Sequence, residues 1–271
     1  MSVRRPAVAG SFYPGDAGQL AATIDGLLDS VLDSVLAGAE PVSETVAPVA
    51  LVVPHAGYRY SGHTAATAYA RLRPWADAFS RVVVVGPAHR VALRGLGLPT
   101  HDAFSTPLGL IPVDRPACIE LLTHRGVELN DDTHRLEHSI EVQLPFLQRV
   151  LENGWSLVPV VAGDIDAPAV ADAFAHLWGA PRTLFVISSD LSHYHDLATA
   201  QWLDRATAAN IVAGRWESLD HEGACGATPV RGALELARRH GEHVRLIELS
   251  TSADGGGPTD GVVGYGSFVL S

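Results

Sequence analysis

Short runs of apolar residues, rich in valine and isoleucine, recur along the chain without the apolar–polar alternation of a strand that has one wet face. Uninterrupted runs of about four to eight apolar residues are typical of strands that are buried on both faces of a sheet. The runs that we interpret as strands are residues 49–53, 82–85, 157–161, 184–187, 244–249 and 262–270.

Candidate helices lie between most of these runs. The segments predicted as helices are residues 17–36, 65–71, 116–124, 138–151, 170–178, 198–213 and 229–240. Alternation of strands and helices indicates an α/β fold with a mostly parallel central sheet flanked by helices. We expect a single domain over residues 1–271, because the sequence shows no internal repeat and no long linker.

The last apolar run, residues 262–270, follows its predecessor without an intervening helix. It could therefore be an antiparallel edge strand instead of a further parallel strand. Gly264 and Gly266 would then mark a bulge or a position of close packing.

The charge balance narrows the range of partners. Nineteen lysines and arginines stand against thirty aspartates and glutamates, which gives a net charge of −11, and no basic run offsets it. Nucleic acids and anionic membranes bind clustered cations, so both partners are disfavoured and a small molecule is expected. The sequence also shows no apolar run of the roughly 20 residues that cross a bilayer and no apolar run typical of a signal peptide. We therefore expect a cytoplasmic protein.

Three of the thirteen histidines follow the predicted strands closely. His55, His89 and His193 each lie within six residues of the end of a different apolar run, beside glycine, proline or serine. In open α/β sheets ligands bind beyond the carboxyl ends of the strands. Several imidazoles that converge there indicate a metal site, sometimes with one further imidazole as acid or base.

The two cysteines lie in different contexts, and they are too few for a disulfide framework. Cys225 is flanked by small residues just before a predicted helix, for which Thr228 is a plausible N-cap. Its thiol could bind a metal ion as thiolate. Cys118 lies in an apolar helical segment, where a buried inert thiol is expected.

A further candidate is the pair His138 and Glu141. Their spacing of three residues would place both side chains on one face of a helix, a spacing that is found in carboxylate metal sites. The same residues could also form a polar helix start, or His138 could line the pocket or support a ligand histidine. We take both as candidate substrate-binding residues.

Aromatic residues are expected at the mouth of the same pocket. Tyr58 comes three residues after His55, and the turn-like segment 12–14 could fold over the same rim. Aromatic walls with a few polar groups are usual in small-molecule pockets. Nucleotide binding, serine hydrolysis and zinc fingers lack support. The sequence contains no phosphate-binding loop, dinucleotide fingerprint, serine-hydrolase elbow or Cys-x-x-Cys pair.

Taken together, these segments resemble the Memo proteins, whose bacterial and archaeal members are called AmmeMemoRadiSam system protein B. The matching segments are residues 9–14, 54–58, 86–89, 106–109, 137–141, 188–193, 225–226 and 264–266. They occur in order and are distributed over nearly the whole chain, from residue 9 to residue 266. The resemblance implies a fold similar to the class III extradiol dioxygenases, which cleave catechol rings with non-haem Fe(II).

The resemblance also implies roles for particular residues. The family's metal-site pattern falls on His55, His89 and Cys225, and Asp190 and His193 lie beside it. His193 matches the acid–base histidine of the dioxygenases, with Asp190 orienting it. A thiolate replaces the carboxylate ligand of those enzymes, which shifts the preference toward copper or zinc without excluding iron.

Two functions follow as hypotheses. In the first, the protein is an oxidoreductase that uses Fe(II) or copper, with zinc as a further possibility, on a small planar or phenolic substrate or within a modification pathway linked to radical-SAM chemistry. In the second, it is a catalytically inactive adaptor that binds a metal ion or a peptide in the same cleft. The family name implies AMMECR-type and radical-SAM proteins as partners.

Overall fold

The computed structural model describes residues 1–36, 46–152 and 154–271. The strands are β1 Val3–Arg4, β2 Ala50–Val53, β3 Arg81–Pro87, β4 Leu96–Leu98, β5 Ala103–Thr106, β6 Gly109–Pro112, β7 Val127–Leu129, β8 Ser156–Ala162, β9 Thr183–Ser188, β10 His193–His195, β11 Val244–Thr251 and β12 Val262–Leu270. The helices are α1 Ala17–Leu36, α2 Tyr58–Tyr69, α3 Arg115–Leu121, α4 Asp131–Arg135, α5 Leu144–Val150, α6 Ala167–Phe174, α7 Leu197–Val212 and α8 Ala227–His240.

A mixed sheet forms the centre of the molecule. Within the described residues it has nine strands in the order β10, β12, β2, β9, β3, β8, β4 and β7, with β11 paired to β12. Strands β2, β9, β3 and β8 run parallel and are almost entirely buried, as their apolar runs predicted. The predicted α/β fold is therefore confirmed, and the parallel part of the sheet is its centre.

The order of the parallel strands decides where the site forms. Strand β9 lies between β2 and β3, so the carboxyl ends of these strands are direct neighbours. Val53 is paired with Ser188 and Val85 with Ile187, and the chain leaves the sheet just beyond both pairs. The loops that carry His55, His89 and Asp190 consequently start from one edge.

The C-terminal strand corrects one expectation. Strand β12 is antiparallel, as one alternative predicted, but it pairs with β2 and β10 on one side and with β11 on the other. The edge position is therefore wrong. Gly264 is a position of close packing, because a Cβ atom there would collide with the carboxylate of Asp204.

Two predicted helices begin elsewhere than expected. Helix α2 starts at Tyr58, seven residues before the predicted start, and continues as a 3-10 helix over Ala70–Trp75. Helix α5 starts at Leu144, because Pro145 has no N–H group and is favoured in the first turn, and a 3-10 turn over Glu141–Gln143 precedes it. His138 therefore does not share a helix face with Glu141.

Other elements were found only in the structure. A small sheet of β1, β5 and β6 joins the N-terminal residues to the middle of the chain. These strands span two to four residues, too few for a periodic pattern. No helix in the described part of the chain is both long and apolar enough to cross a membrane.

Candidate metal centre

Three imidazoles converge at the carboxyl edge of the parallel strands. One ring nitrogen from each of His55, His89 and His138 lies within 4.8 Å of the others. The ring centroids are 5.0 Å apart for His55 and His89, 5.5 Å for His55 and His138, and 4.9 Å for His89 and His138. This spacing suits a metal ion between the nitrogens, since neutral imidazole is the commonest protein ligand of transition metals.

Ser188, the last residue of β9, fixes the His55 ring. The Ser188 hydroxyl donates its one proton to the carbonyl of Ser139 at 2.6 Å, so it can only accept from the His55 Nδ1 at 2.9 Å. His55 therefore carries its proton on Nδ1, and Nε2 keeps a free lone pair. The Gln143 side-chain amide also donates to Ser188, at 2.8 Å. A hydrogen bond of this kind orients a metal-binding histidine.

Glu137 fixes the His89 ring in the same way. Its carboxylate accepts from His89 Nδ1 at 2.9 Å and from the His89 backbone N–H at 2.7 Å. Burial alone raises the pKa of Glu137, but hydrogen bonds from His89 and Ser139 lower this pKa to about 2. The group is thus an ionised acceptor at neutral pH, and His89 Nε2 stays available for a metal ion. Carboxylate–histidine pairs are common behind metal ions.

His138 completes the cluster from the loop before α5. Its backbone N–H donates to Glu137 at 2.8 Å, and its Nδ1 lies 3.3 Å from the same carboxylate oxygen. The ring stacks on His89 with an angle of 22° between the planes, and Phe12 packs on it with a centroid distance of 4.8 Å. One carboxylate therefore contacts two rings of the cluster.

The electrostatics of the cluster favour neutral imidazoles. Burial, followed by the proximity of His89, lowers the pKa of His55 to about 3. Burial, followed by the proximity of His55, lowers the pKa of His138 to about 4. Rings that remain unprotonated at neutral pH have free lone pairs, so no proton must be displaced when a metal ion binds.

Cys225 lies against the same cluster. Its Sγ is 3.2 Å from His55 Nε2 and 3.7 Å from the carbonyl oxygen of Asp190. Burial, followed by the charge of Asp190, raises the pKa of the thiol. Gly226 permits this approach, because a Cβ there would lie 2.6 Å from the carbonyl of Ser188. The residue is in place to bind a metal ion bound at His55, and its role as ligand stays a prediction.

The start of helix α8 differs from the sequence-based prediction. The N-cap is Gly226, and Thr228 lies inside the first turn, where its hydroxyl is 3.4 Å from His221 Nε2. The N-cap assignment to Thr228 is therefore wrong. The reason is local: Gly226 and Ala227 are both small, so the helix begins at Ala227, two residues before the predicted start at residue 229.

Asp190 and His193 were predicted to act as a pair. The Asp190 carboxylate accepts a hydrogen bond from the backbone N–H of His55 at 2.7 Å, and no hydrogen bond to His193 is present among the described residues. Burial raises the pKa of Asp190, while the hydrogen bond from the His55 N–H opposes the shift, followed by the electrostatic interaction with His193. The observed contact of Asp190 thus fixes the His55 loop. The expected hydrogen-bonded orientation of His193 is not seen.

The cluster opens into a cavity of about 690 Å³. The residues that line it are His55, His89, Arg90, His138, Asp190, His193, Tyr194, His195, His221, Glu222 and Cys225. Seven of these come from the three loops after β2, β3 and β9, three come from the segment before α8, and His138 comes from the loop before α5. Sequence reasoning named six of the lining residues and missed the outer five.

Two predicted pocket residues lie elsewhere. Tyr58 is 6% exposed, and its hydroxyl donates to the carbonyl of Val142 at 2.6 Å instead of reaching the cavity. Glu141 is fully buried, and its carboxylate binds Arg4, the backbone N–H groups of Ala7 and Val8, and the Tyr13 hydroxyl. Both predictions of substrate contact are therefore corrected, because these side chains hold the N-terminal segment and the core.

Sequence reasoning missed the supporting residues Glu137 and Ser188. Both had local signals, since Glu137 directly precedes His138 and Ser188 ends a buried apolar run. A buried carboxylate or hydroxyl beside a histidine often orients that ring. The partners themselves come from distant parts of the chain, 48 residues away for Glu137 and His89 and 133 for Ser188 and His55.

Comparison with known proteins identifies relatives over the full length. A family model described as "Memo-like protein" matches residues 4–269. A MEMO1 family protein of Aquifex aeolicus is 33% identical over an alignment of 276 positions that covers 98% of each chain. A MEMO1 family protein of Thermotoga maritima is 36% identical over 281 residues, 98% of this chain and 99% of that one.

One solved structure is similar in fold. The crystal structure of the uncharacterized protein JW3007 from Escherichia coli K12 superposes with a TM-score of 0.54 and covers 82% of this chain and 99% of its own. The sequence identity is 17%, so the likeness concerns the fold alone.

Proposed function

This chain belongs to the Memo-like protein family, and from that membership and the geometry of its pocket we propose that it is a metal-dependent oxidoreductase acting on a small planar substrate. One observation carries the proposal. Three imidazoles converge in an open cavity, and a thiol and a further histidine lie beside them. A purely structural cluster would have no need of an open side.

The residues fit a transition metal ion. His55 and His89 would hold it through Nε2, since their Nδ1 atoms are occupied by Ser188 and Glu137. His138 supplies a third imidazole, and Cys225 is the alternative or additional ligand. Imidazole and thiolate together suit copper, zinc and iron, and carboxylate-preferring ions such as Mg²⁺ are disfavoured. When bound, Fe(II) or copper supplies one-electron chemistry, and Zn²⁺ supplies a Lewis acid.

The chain's own residues then act on the substrate. His193 lines the cavity beside the cluster, where its imidazole can take a proton from a substrate hydroxyl and return it later. Arg90 lines the same cavity and can attract a substrate oxygen that carries negative charge. Burial of His55 and His138 lowers the pKa of both imidazoles, which keeps these two rings neutral.

The deciding experiment is metal analysis of protein purified without chelator or histidine tag, followed by oxygen uptake with a catechol panel after loading with Fe(II) or copper. We expect about one metal ion per chain and loss of binding in His55→Ala and His89→Ala. His134→Gln is the matched control, because His134 is a buried histidine that hydrogen bonds to Gly97 outside the pocket. Equal metal content in the control and both alanine variants would overturn the proposal.

The third ligand is assigned by two further variants. Cys225→Ser and His138→Gln each remove one donor and keep a polar side chain of similar size. If Cys225 is the ligand, its serine variant loses metal and the His138 variant retains it, and the reverse holds for a three-histidine site. Loss in both indicates four protein ligands.

The adaptor hypothesis has a specific observation in its favour. Tyr58, expected as an aromatic wall, is buried in the core, and the cavity is lined mainly by polar side chains. A chain that binds metal but consumes no oxygen with any substrate in the panel would support the adaptor function. Association with AMMECR-type and radical-SAM proteins is proposed from the family relationship, and co-purification would test it.

A further inference from the structure

Tyr194 has a strained backbone at the mouth of the cavity. Its φ angle is 61°, in the left-handed region, and Arg182 with φ of 59° is the only other non-glycine residue there among the described residues. Bulky side chains rarely adopt this conformation, and such strain concentrates at functional sites. The side chain of Tyr194 is 81% exposed, so burial of its ring does not explain the cost.

The strain is imposed by a bulge in strand β10. The pairing of β10 with β12 shifts register between His193 and His195, which leaves Tyr194 as the unpaired residue. The left-handed position of a bulge is usually a glycine. As a consequence, the residues on both sides of Tyr194 line the cavity, and Tyr194 itself lines it at the outer end.

Hydrogen bonds hold the bulge from both ends. The Ser192 N–H donates to the Asp204 carboxylate at 3.0 Å, and the Ser192 carbonyl accepts from the Gly264 N–H at 2.8 Å. Asp204 is only 3% exposed and lies where a side chain at Gly264 would collide with it. On the other side, Asp196 caps helix α7 by accepting from the Thr199 N–H at 3.1 Å. The surroundings therefore fix the conformation of Tyr194.

The ring is chemically distinct from the rest of the cavity wall. The other lining side chains are imidazoles, carboxylates, one guanidinium and one thiol, whereas Tyr194 offers a phenol ring. Its ring centroid lies 5.8 Å from that of His193, at an angle of 62°. The exposed ring therefore lies beside His193 on the cavity wall.

We propose that Tyr194 is a ligand-contacting residue whose ring stacks on a planar aromatic group that carries a negatively charged oxygen. Stacking removes exposed aromatic surface from water, and Arg90 on the same wall attracts the charge. The identity of the ligand as a substrate rests on the function proposed above, but the contact itself is measurable without turnover. The strained bulge thus sets the position of the ring.

The test uses two carboxylates of similar size, flat 2-naphthoate and its puckered, saturated analogue decahydronaphthalene-2-carboxylate. Both are titrated calorimetrically into the full chain, with and without Zn²⁺, which is redox-silent. We expect the wild type to prefer 2-naphthoate, and Tyr194→Asn to bind it about five- to tenfold more weakly while binding of the saturated analogue hardly changes. Tyr194→Phe keeps the ring and should keep the preference.

The variant should also become more stable. Asparagine tolerates the left-handed region, so Tyr194→Asn should raise the melting temperature by about 2 °C while it weakens 2-naphthoate binding. Arg182→Asn is the matched control, because it changes the other left-handed residue, which is not part of the cavity wall, and should leave 2-naphthoate binding as in the wild type.

The binding data either support or overturn the stacking role of Tyr194. If the wild type binds neither compound, or if Tyr194→Asn weakens both equally, the stacking role is overturned. If Tyr194→Asn loses the aromatic preference and its Zn²⁺ affinity equals that of the wild type, the role stands. Failure of the metal proposal would be visible separately, as unchanged Zn²⁺ binding in His55→Ala.

Discussion

The inner wall of the cavity, formed by His55, His89 and His138, and its rim, formed by His193, Tyr194 and His195, are both built mainly from histidines but are held differently. Two inner rings are tied through Nδ1 to Ser188 and Glu137, which are buried. The rim is a short strand with a bulge and a strained, exposed residue at its centre. The fixed ring nitrogens of the inner wall suit a metal ion. The exposed, strained rim suits a ligand that binds reversibly.

Acid should affect the inner wall most. The folded-state pKa values of His55 (about 3) and His138 (about 4) lie below the ordinary 6.5. Between these values and pH 6.5, the unfolded chain therefore binds protons that the folded chain does not bind. Above about pH 6.5 these rings do not change the free energy of unfolding with pH. Below that pH they lower the free energy of unfolding progressively as the pH falls toward 4. Each ring contributes up to about 1.4 kcal/mol per pH unit to the loss. Urea unfolding of metal-free protein at pH 7 and pH 5 measures it.

The His138→Gln variant isolates one of these contributions. Its unfolding free energy should decline less between pH 7 and pH 5 than that of the wild type, since one titrating ring is gone. Identical declines in the two proteins would show that His138 takes up protons equally well in the folded and unfolded states.

Removal of the inner carboxylate should have the next largest effect. Glu137→Gln replaces the acceptor that holds His89 Nδ1, and it should weaken Zn²⁺ binding about 10- to 100-fold. Competition with a chromophoric chelator measures the affinity. Glu141→Gln is the matched control, because its carboxylate contacts the N-terminal segment and no ring of the cluster. Equal losses in both variants would mean that the two glutamates act only through stability.

Ser188→Ala should have a smaller effect of the same kind. The variant removes the acceptor that sets the proton of His55 on Nδ1, so we expect Zn²⁺ affinity to fall about tenfold. Nitrogen-15 NMR of the imidazoles should show a mixture of tautomers for His55 in the metal-free variant. Ser188→Thr keeps the hydroxyl and should restore a single tautomer, whereas a mixture already present in the wild type would contradict the assignment.

The rim should influence metal binding least. His193→Ala is expected to change Zn²⁺ affinity by less than about twofold and to lower turnover by about 10²- to 10⁴-fold, because the ring handles protons and is not a ligand. Chelator competition and oxygen uptake on the same preparations separate the two effects. A loss of metal as large as that of His89→Ala would place His193 in the inner wall.

The sequence by itself determined the central strands and the loops that carry the chemistry. Uninterrupted apolar runs predicted six strands, and all six are present. Five of them are almost entirely buried, whereas β11 is partly exposed, so its expected burial on both faces is wrong. Histidines just after such runs must lie at the carboxyl edge of a parallel sheet, which is why His55, His89 and His193 meet in one cavity.

Only the tertiary structure decided the partners of the buried polar groups. Glu137 and Glu141 are four residues apart in one motif, yet one contacts the imidazoles and the other binds Arg4, 137 residues away. Tyr58 was expected at the pocket mouth but is buried at the start of α2, whereas Tyr194, which the sequence did not single out, is exposed there by the bulge in β10. Local patterns record which residues are buried, but hydrogen-bond partners depend on which distant segments the fold brings together.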